Sequence, residues 1–286
     1  ASHRHKEKHM SKIVIIITHP GDAHRDDFIA CSLALAVNPE ASIRRMDPVF
    51  PEYLSDPNVL VLDVGRVHDP KQNCFDHHQL PADADPTCAL HMYAEEMGWT
   101  EALSLSPWYN YLAMVDSKGP FKTAELIGLP RYPMEMVDPL GNWLVAQFKK
   151  VKVLPRDNAM LYDLMSQFGN SLLLGMEHTE TLRSKIQVHE VQGVQILVVE
   201  SEDTRGLGNI KDRDYPDAAG AVFHANRGPG WSLYRYNDDP RLDFAKLNGH
   251  PDITFAHVGG FIADTKVRVP LDHALELVGM ARVIQE

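Results

Sequence analysis

The side chains able to do chemistry in this chain are aspartates and histidines, and they come in clusters. The run T-H-P-G-D-A-H-R-D-D carries His19, Asp22, His24, Asp26 and Asp27. L-D-V-G supplies Asp63, and Asp76-His77-His78-Gln79 follows soon after. Asp116 stands before the breaker Ser117-Lys118-Gly119-Pro120. Taken singly, each has an ordinary reading. Asp22, Asp26 and Asp27 suit the cap of a helix, Asp63 suits a turn after a strand, and a His-His pair suits many surfaces. Taken together, carboxylates and imidazoles recur at the ends of separate expected strands, which is where open α/β sheets bind ligands. Gathered in one pocket, such groups repel one another and lose solvation. Divalent cations remove that cost. A mixed oxygen and nitrogen donor set suits Mn²⁺, Mg²⁺, Fe²⁺ or Zn²⁺, and the lack of a thiolate in it argues against a structural zinc. Cys74 reads as core.

The elements that must position these groups follow from hydrophobic patterning. Ile13 to Thr18 is an almost pure β-branched run, as in a buried parallel strand. Gly21 breaks it, and Asp26 or Asp27 opens a helix over Phe28 to Val37, closed by Asn38-Pro39. Val59 to Val64 reads as a second buried strand and Cys74-Phe75 as a short third. Helices are expected at Ala89 to Met97, Trp108 to Val115 and Met136 to Phe148, and one long helix or two over Ala159 to Ile186. Val188 to Glu200 reads as two strands about Gly193. Further strands are expected at Ala221 to His224, Trp231 to Tyr236 and Ile253 to Gly260. A closing amphipathic helix, Leu271 to Val283, has Leu271, Ala274, Leu275, Val278 and Ala281 on one face. The expectation is a parallel-sheet α/β domain over 11–185 and a smaller α+β domain over 186–286. Residues 1–10, basic and rich in histidine, read as an expression leader rather than a native metal-binding tail.

Composition bounds the function. The 286 residues carry a formal net charge of -11, with 44% hydrophobic and 23% charged residues. That is an ordinary globular balance, and its acidity speaks against coating duplex DNA, where affinity comes from neutralising phosphates. Bound divalent metals would reverse the charge locally, so a nucleotide or short RNA stays open as substrate. The longest nearly apolar stretch, Phe28 to Val37, is far shorter than the roughly 20 residues of a membrane span. Three cysteines without a CxxC spacing fit a reducing compartment. With no apolar signal segment visible, a cytoplasmic location is expected.

In the last part of the chain, Val258-Gly259-Gly260 would let backbone approach a ligand closely or form an anion nest. A plain β-bulge or turn is the alternative. His257, Lys266 and Arg268 are candidate phosphate or 3′-end contacts. Arg205, Lys211, Arg213 and Arg227 sit in a Gly- and Asp-rich stretch that reads as loop with solvated charge. Acidic residues outnumber basic ones over 186–286, so no broad basic face is expected. Phe223, Trp231, Tyr234 and Tyr236 suit strand packing better than base stacking.

The succession T-H-P-G-D-A-H-R-D, L-D-V-G, D-H-H-Q and V-D-S-K-G resembles the DHH phosphoesterase superfamily, and within it the melanocyte-proliferating-gene family. His19, Gly21, His24 and Asp26 match that family's opening pattern in register, with Ala23 and Arg25 departing from its usual residues. Asp63 and the Phe75 to Gln79 segment match its next two motifs. His257, Gly260, Phe261, Ile262 and Lys266 look like its H-x-x-G-F-I-x-x-x-K pattern. The resemblance implies two divalent cations, Mn²⁺ foremost. His19 and His24 would hold one, and Asp26, His77 and Asp116 the other, with Asp63 bridging. It implies that Asp76 orients an imidazole and that His78 faces the substrate phosphate. The implied activity is phosphodiester hydrolysis, as a 3′→5′ exonuclease on short RNA or oligonucleotides. A small-molecule phosphatase or pyrophosphatase and a non-catalytic metal- or nucleotide-binding regulator are the alternatives.

Overall fold

A computed structural model describes residues 12–128 and 138–284. The leader reading of 1–10 and the start of the helix expected from Met136 lie outside the described residues. The chain divides into two compact units, one ending at Met176 and one beginning at Glu177.

The first unit is built on a six-stranded sheet. In chain order its elements are β1 (Ile15–Thr18), α1 (Arg25–Val37), β2 (Ser42–Arg45), α2 (Pro51–Leu54), β3 (Val59–Leu62), β4 (His68–Asp69), β5 (Cys74–Phe75), α3 (Ala89–Met97), α4 (Thr100–Leu103), α5 (Pro107–Lys118), α6 (Pro120–Leu126), α7 (Pro139–Lys150), β6 (Val153–Leu154) and α8 (Ala159–Lys185). The last of these runs past the boundary between the units as a single helix. The strand order is β4-β5-β3-β1-β2-β6. Strands β1, β2, β3 and β5 are parallel, and the edge strands β4 and β6 are antiparallel to their neighbours.

Alternation along the central strands explains why both faces of this sheet are covered. Ile16, Leu60 and Leu62 point into a large cluster with Leu33, Leu35, Tyr93, Leu112 and Phe148. Ile17, Val59 and Val61 point into a smaller one with Val49, Val64 and Cys74. Strands buried on both faces read as continuous apolar runs, and β1 and β3 were legible for that reason. Strand β2, Ser42-Ile43-Arg44-Arg45, has no such run and was not expected.

Several boundaries differ from expectation. Helix α1 opens at Arg25 with His24 as its N-cap, so Asp26 and Asp27 stand inside its first turn. Helix α5 continues to Lys118, with Gly119 at φ 81° as its stop, so Asp116 lies within a helix and not after one. Strand β3 ends at Leu62, because Asp63 takes the left-handed φ of 58°.

The second unit contains β7 (Gln187–Val191), β8 (Val194–Val199), α9 (Leu207–Asp214), β9 (Gly220–His224), β10 (Trp231–Arg235), β11 (Ile253–Ala256), β12 (Ile262–Thr265) and α10 (Leu271–Met280). Its sheet order is β11-β12-β10-β9-β8-β7, with only β8 and β9 parallel. The amphipathic closing helix buries Ala274, Leu277, Val278 and Ala281 against Ile196, Val198, Val222 and Leu233. The loop expected around Arg205 to Arg213 is corrected: α9 occupies most of it. Lys211 is buried there, with Nζ 5.7 Å from the Tyr236 ring centroid. The ring and the aliphatic stem shelter a charge that composition alone assigns to solvent. Cys31, Cys74 and Cys88 are free and buried. No helix among the described residues is long and apolar enough to cross a membrane.

Candidate metal centre

Three parallel strands of the first unit deliver the site at their carboxyl ends. His19 follows β1, Asp63 follows β3, and Asp76-His77-His78 follow β5. Two helices supply the rest. The first turn of α1 presents Asp26 and Asp27, and the last turn of α5 presents Asp116. The Asp63 N–H donates to Phe75 O at 2.9 Å, which ties the end of β3 to the strand that launches the His-His turn.

The six residues expected to hold metal form one connected cluster. His19 Nε2 lies 3.3 Å from Asp63 Oδ2, and His77 Nε2 lies 3.3 Å from Asp63 Oδ1. His77 Nε2 is 2.6 Å from Asp116 Oδ2, and His24 Nδ1 is 3.9 Å from Asp116 Oδ1. Donor atoms of His19, His24 and Asp63 fall within 4.8 Å of one another, as do those of His24, Asp26 and Asp116, and those of Asp63, Asp76, His77 and His78. Asp22 does not join them; it is exposed and pairs with Lys149.

Burial makes this arrangement chemically pointed. Asp26, Asp27, Asp63 and Asp76 are all buried. His19 Nε2, Asp26 Oδ2, Asp27 Oδ2, Asp63 Oδ1, His77 Nε2 and Asp116 Oδ2 are buried polar atoms without a well-formed hydrogen bond. Such atoms are rare and costly in native interiors. Their convergence fits a cation, which satisfies several lone pairs at once.

The electrostatics agree. Burial disfavours the charged imidazolium of His19, but the carboxylates of Asp27 and Asp63 outweigh it and hold the pKa up at about 11. Burial likewise opposes charge on His77, and Asp116 and Asp63 carry it up to about 10. At Asp63 burial favours the neutral acid, yet His19 and His77 hold the carboxyl down at about 2. Asp26 goes the other way: burial, then the charges of Asp116, Asp63 and Asp27, push it well above the usual range. These opposed shifts mark groups that depend on one another for charge balance, a part that divalent cations would take over.

Two further features concern the rim. Asp76 Oδ1 accepts the His78 N–H at 3.1 Å and lies 2.6 Å from His78 Nδ1, while its Oδ2 accepts the Arg66 N–H at 2.7 Å. The imidazole it orients is thus that of His78, whose side chain is half exposed. His19, His24, Asp63, Arg66, Asp76 and His78 line a cavity of about 620 Å³. Sequence reasoning left Arg66 out, since an arginine after D-V-G carries no signal of its own. It also gave Asp27 no role beyond a cap.

The candidate contacts of the second unit are differently placed. Gly259 and Gly260 form the turn between β11 and β12. The Gly259 N–H donates to His257 Nδ1 and the Gly260 N–H to His257 O, both at 2.9 Å. Both donors are used inside the turn, which therefore offers neither to an anion. Arg235 Nη2 donates to Gly259 O at 2.9 Å from below the turn. Arg268 stacks over Trp231, with Cζ 5.3 Å from the ring centroid, and Lys266 is exposed.

The family model described as Uncharacterised protein family (UPF0160), the MYG1 exonuclease model, matches residues 15–85. The matched stretch runs from β1 through the His-His turn and ends before Asp116. No curated protein matches the chain. Over residues 15–85, the stretch that builds most of the centre, the chain is similar to the MYG1 exonuclease family, a family of DHH-like phosphoesterases.

Proposed function

We propose that this protein is a two-metal phosphoesterase that hydrolyses phosphodiester bonds, acting as a 3′→5′ exonuclease on short RNA or oligonucleotides. The observation that carries the reading is the buried set of carboxylate and imidazole atoms left without hydrogen bonds beside a substrate-sized cavity. A match to an exonuclease family model over residues 15–85 supports it.

His19 and His24 would hold one cation, Asp26, His77 and Asp116 the other, and Asp63 would lie between them. When bound, divalent cations of this kind, Mn²⁺ foremost, supply charge neutralisation and activation of a water nucleophile. The remaining work falls to the chain itself. His78 is half exposed on the cavity with Nδ1 directed to Asp76. Its other nitrogen is thereby left to donate to a phosphoryl oxygen as charge builds there. Arg66, exposed on the same cavity, offers a positive side chain to an anionic substrate. Asp76 holds both residues, one through a ring nitrogen and one through a backbone N–H.

Purified protein with Mn²⁺ is expected to release mononucleotides from the 3′ end of short single-stranded RNA. Asp63→Ala is expected to lower this by roughly three orders of magnitude or more, as for loss of a group acting directly in the reaction, while circular dichroism stays native. Full activity in that variant refutes the reading. Rapid pyrophosphate turnover without nucleotide release redirects it to a small-molecule phosphatase, and tight Mn²⁺ binding with no turnover to a regulator.

A further inference from the structure

We propose that Asp27 is itself a metal ligand, joining His19 and Asp63 on one cation; the proposal rests on the metal-dependent reading above. The ordinary role of Asp27 is that of a helix cap, and its Oδ1 performs it completely. That one oxygen accepts the His24 N–H at 2.8 Å and the Phe28 N–H at 2.9 Å. A cap needs nothing from the second oxygen. Yet Oδ2 is buried, has no well-formed hydrogen bond, and stands 3.2 Å from His19 Nε2, in a side chain that is 0% exposed. A carboxylate oxygen stranded in this way is costly unless something positive meets it.

The partner it faces sharpens the point. His19 Nδ1 lies 2.9 Å from Pro20 O. A carbonyl only accepts, so Nδ1 carries the ring's proton and, in the neutral ring, Nε2 carries a lone pair. That lone pair faces Asp27 Oδ2 at 3.2 Å and Asp63 Oδ2 at 3.3 Å. The His19 nitrogen thus stands between two carboxylate oxygens, where a cation would replace the proton that the ring holds in the metal-free chain. Neighbouring oxygen and nitrogen donors on an octahedral ion with bonds of about 2.1 Å stand roughly 3 Å apart, close to both observed separations. The backbone bonds to Oδ1 fix the carboxylate, so Oδ2 is presented without a cost in side-chain freedom.

The test is Mn²⁺ titration by calorimetry of the wild type and of Asp27→Asn, with thermal unfolding of each in chelator. Asparagine keeps an oxygen for the backbone cap and turns an amide toward His19. The wild type is expected to take up two Mn²⁺ ions, and the variant, folded in chelator, to bind one of them on the order of tenfold or more weakly. Equal affinity for both ions in the two proteins overturns the proposal and leaves the metal-dependent reading intact. A wild type that takes up no Mn²⁺ overturns both. Should Asp27→Asn not fold, a crystal of the wild type soaked in Mn²⁺ decides. An anomalous peak within bonding distance of Asp27 Oδ2 and His19 Nε2 supports the proposal, and a peak bonded to His19 but not to Asp27 overturns it.

Discussion

In the cluster of His19, Asp26, Asp27, Asp63, His77 and Asp116, buried side-chain atoms are left without good hydrogen bonds; around His257 and His273 the same residue types lie nearer solvent and have partners. His273 Nε2 is 2.8 Å from Asp252 Oδ2, its Nδ1 is 3.1 Å from Glu276 Oε2, and His257 Nδ1 accepts the Gly259 N–H. Residue type is therefore a poor guide to chemistry, and satisfaction is a better one. A carboxylate and an imidazole near water complete each other with a proton. Several of each, withdrawn from water at the end of a parallel sheet, satisfy one another less completely, and such a set could hold a cation.

The sharpest way to break that comparison is at Asp76, which belongs to the buried group but is hydrogen-bonded like the second. As a residue that orients His78, it should show Asp76→Asn losing about 10- to 100-fold in turnover with Mn²⁺ affinity unchanged in calorimetry. Loss of a bound Mn²⁺ would instead make Asp76 a ligand and move it across the divide. A smaller effect is expected at Gly260, at φ 71°, where an added Cβ would fall 2.2 Å from Asp243 Oδ1. Gly260→Ala should cost about 1 kcal/mol or more in urea unfolding, because this glycine serves the turn. Mn²⁺ uptake should not change, and a variant as stable as the wild type would show that the turn does not need glycine.

The smallest effect concerns His273. Asp252, and after it Glu276, raise its pKa above the ordinary 6.5, and His273 in turn lowers that of Asp252 below 3.8. The histidine's contribution to stability is complete below its unfolded value and fades as pH rises through the raised folded one. The aspartate's is present above its unfolded value and fades as pH falls through the lowered one. The pair thus stabilises most between the unfolded values, about 3.9 and 6.5. His273→Gln should lower the unfolding temperature slightly in that window and not in alkali, with salt reducing the difference. A difference independent of pH would show that no such proton-held pair contributes.

Much of the first unit was legible because its signals are local. β-Branched runs gave β1 and β3, and Gly193 gave the β7–β8 turn, where Gln192 and Gly193 both take positive φ. The expected donors His19, His24, Asp26, Asp63, His77 and Asp116 do gather, since each stands next to a strand or helix end that could be recognised. Strand β2 escaped because Arg44 and Arg45 disguise it. Arg45 is nonetheless buried, with Nη1 donating to Phe148 O and Lys149 O at the end of α7 and Nη2 to Gly21 O. Helix α9 escaped because its Gly, Asn and Asp content imitates a loop. The second role of Asp27 escaped because a capping motif explains the residue fully until the other oxygen is seen.

The order of residues alone settled that strands would be parallel and buried, and that acids and imidazoles would stand at their ends, since both depend on neighbours within a few positions. Only the tertiary structure decided which of these side chains lose water together. That quantity depends on segments nearly one hundred residues apart, from His19 to Asp116, closing on the same volume, and no local pattern records how many lone pairs end up inside it without a donor.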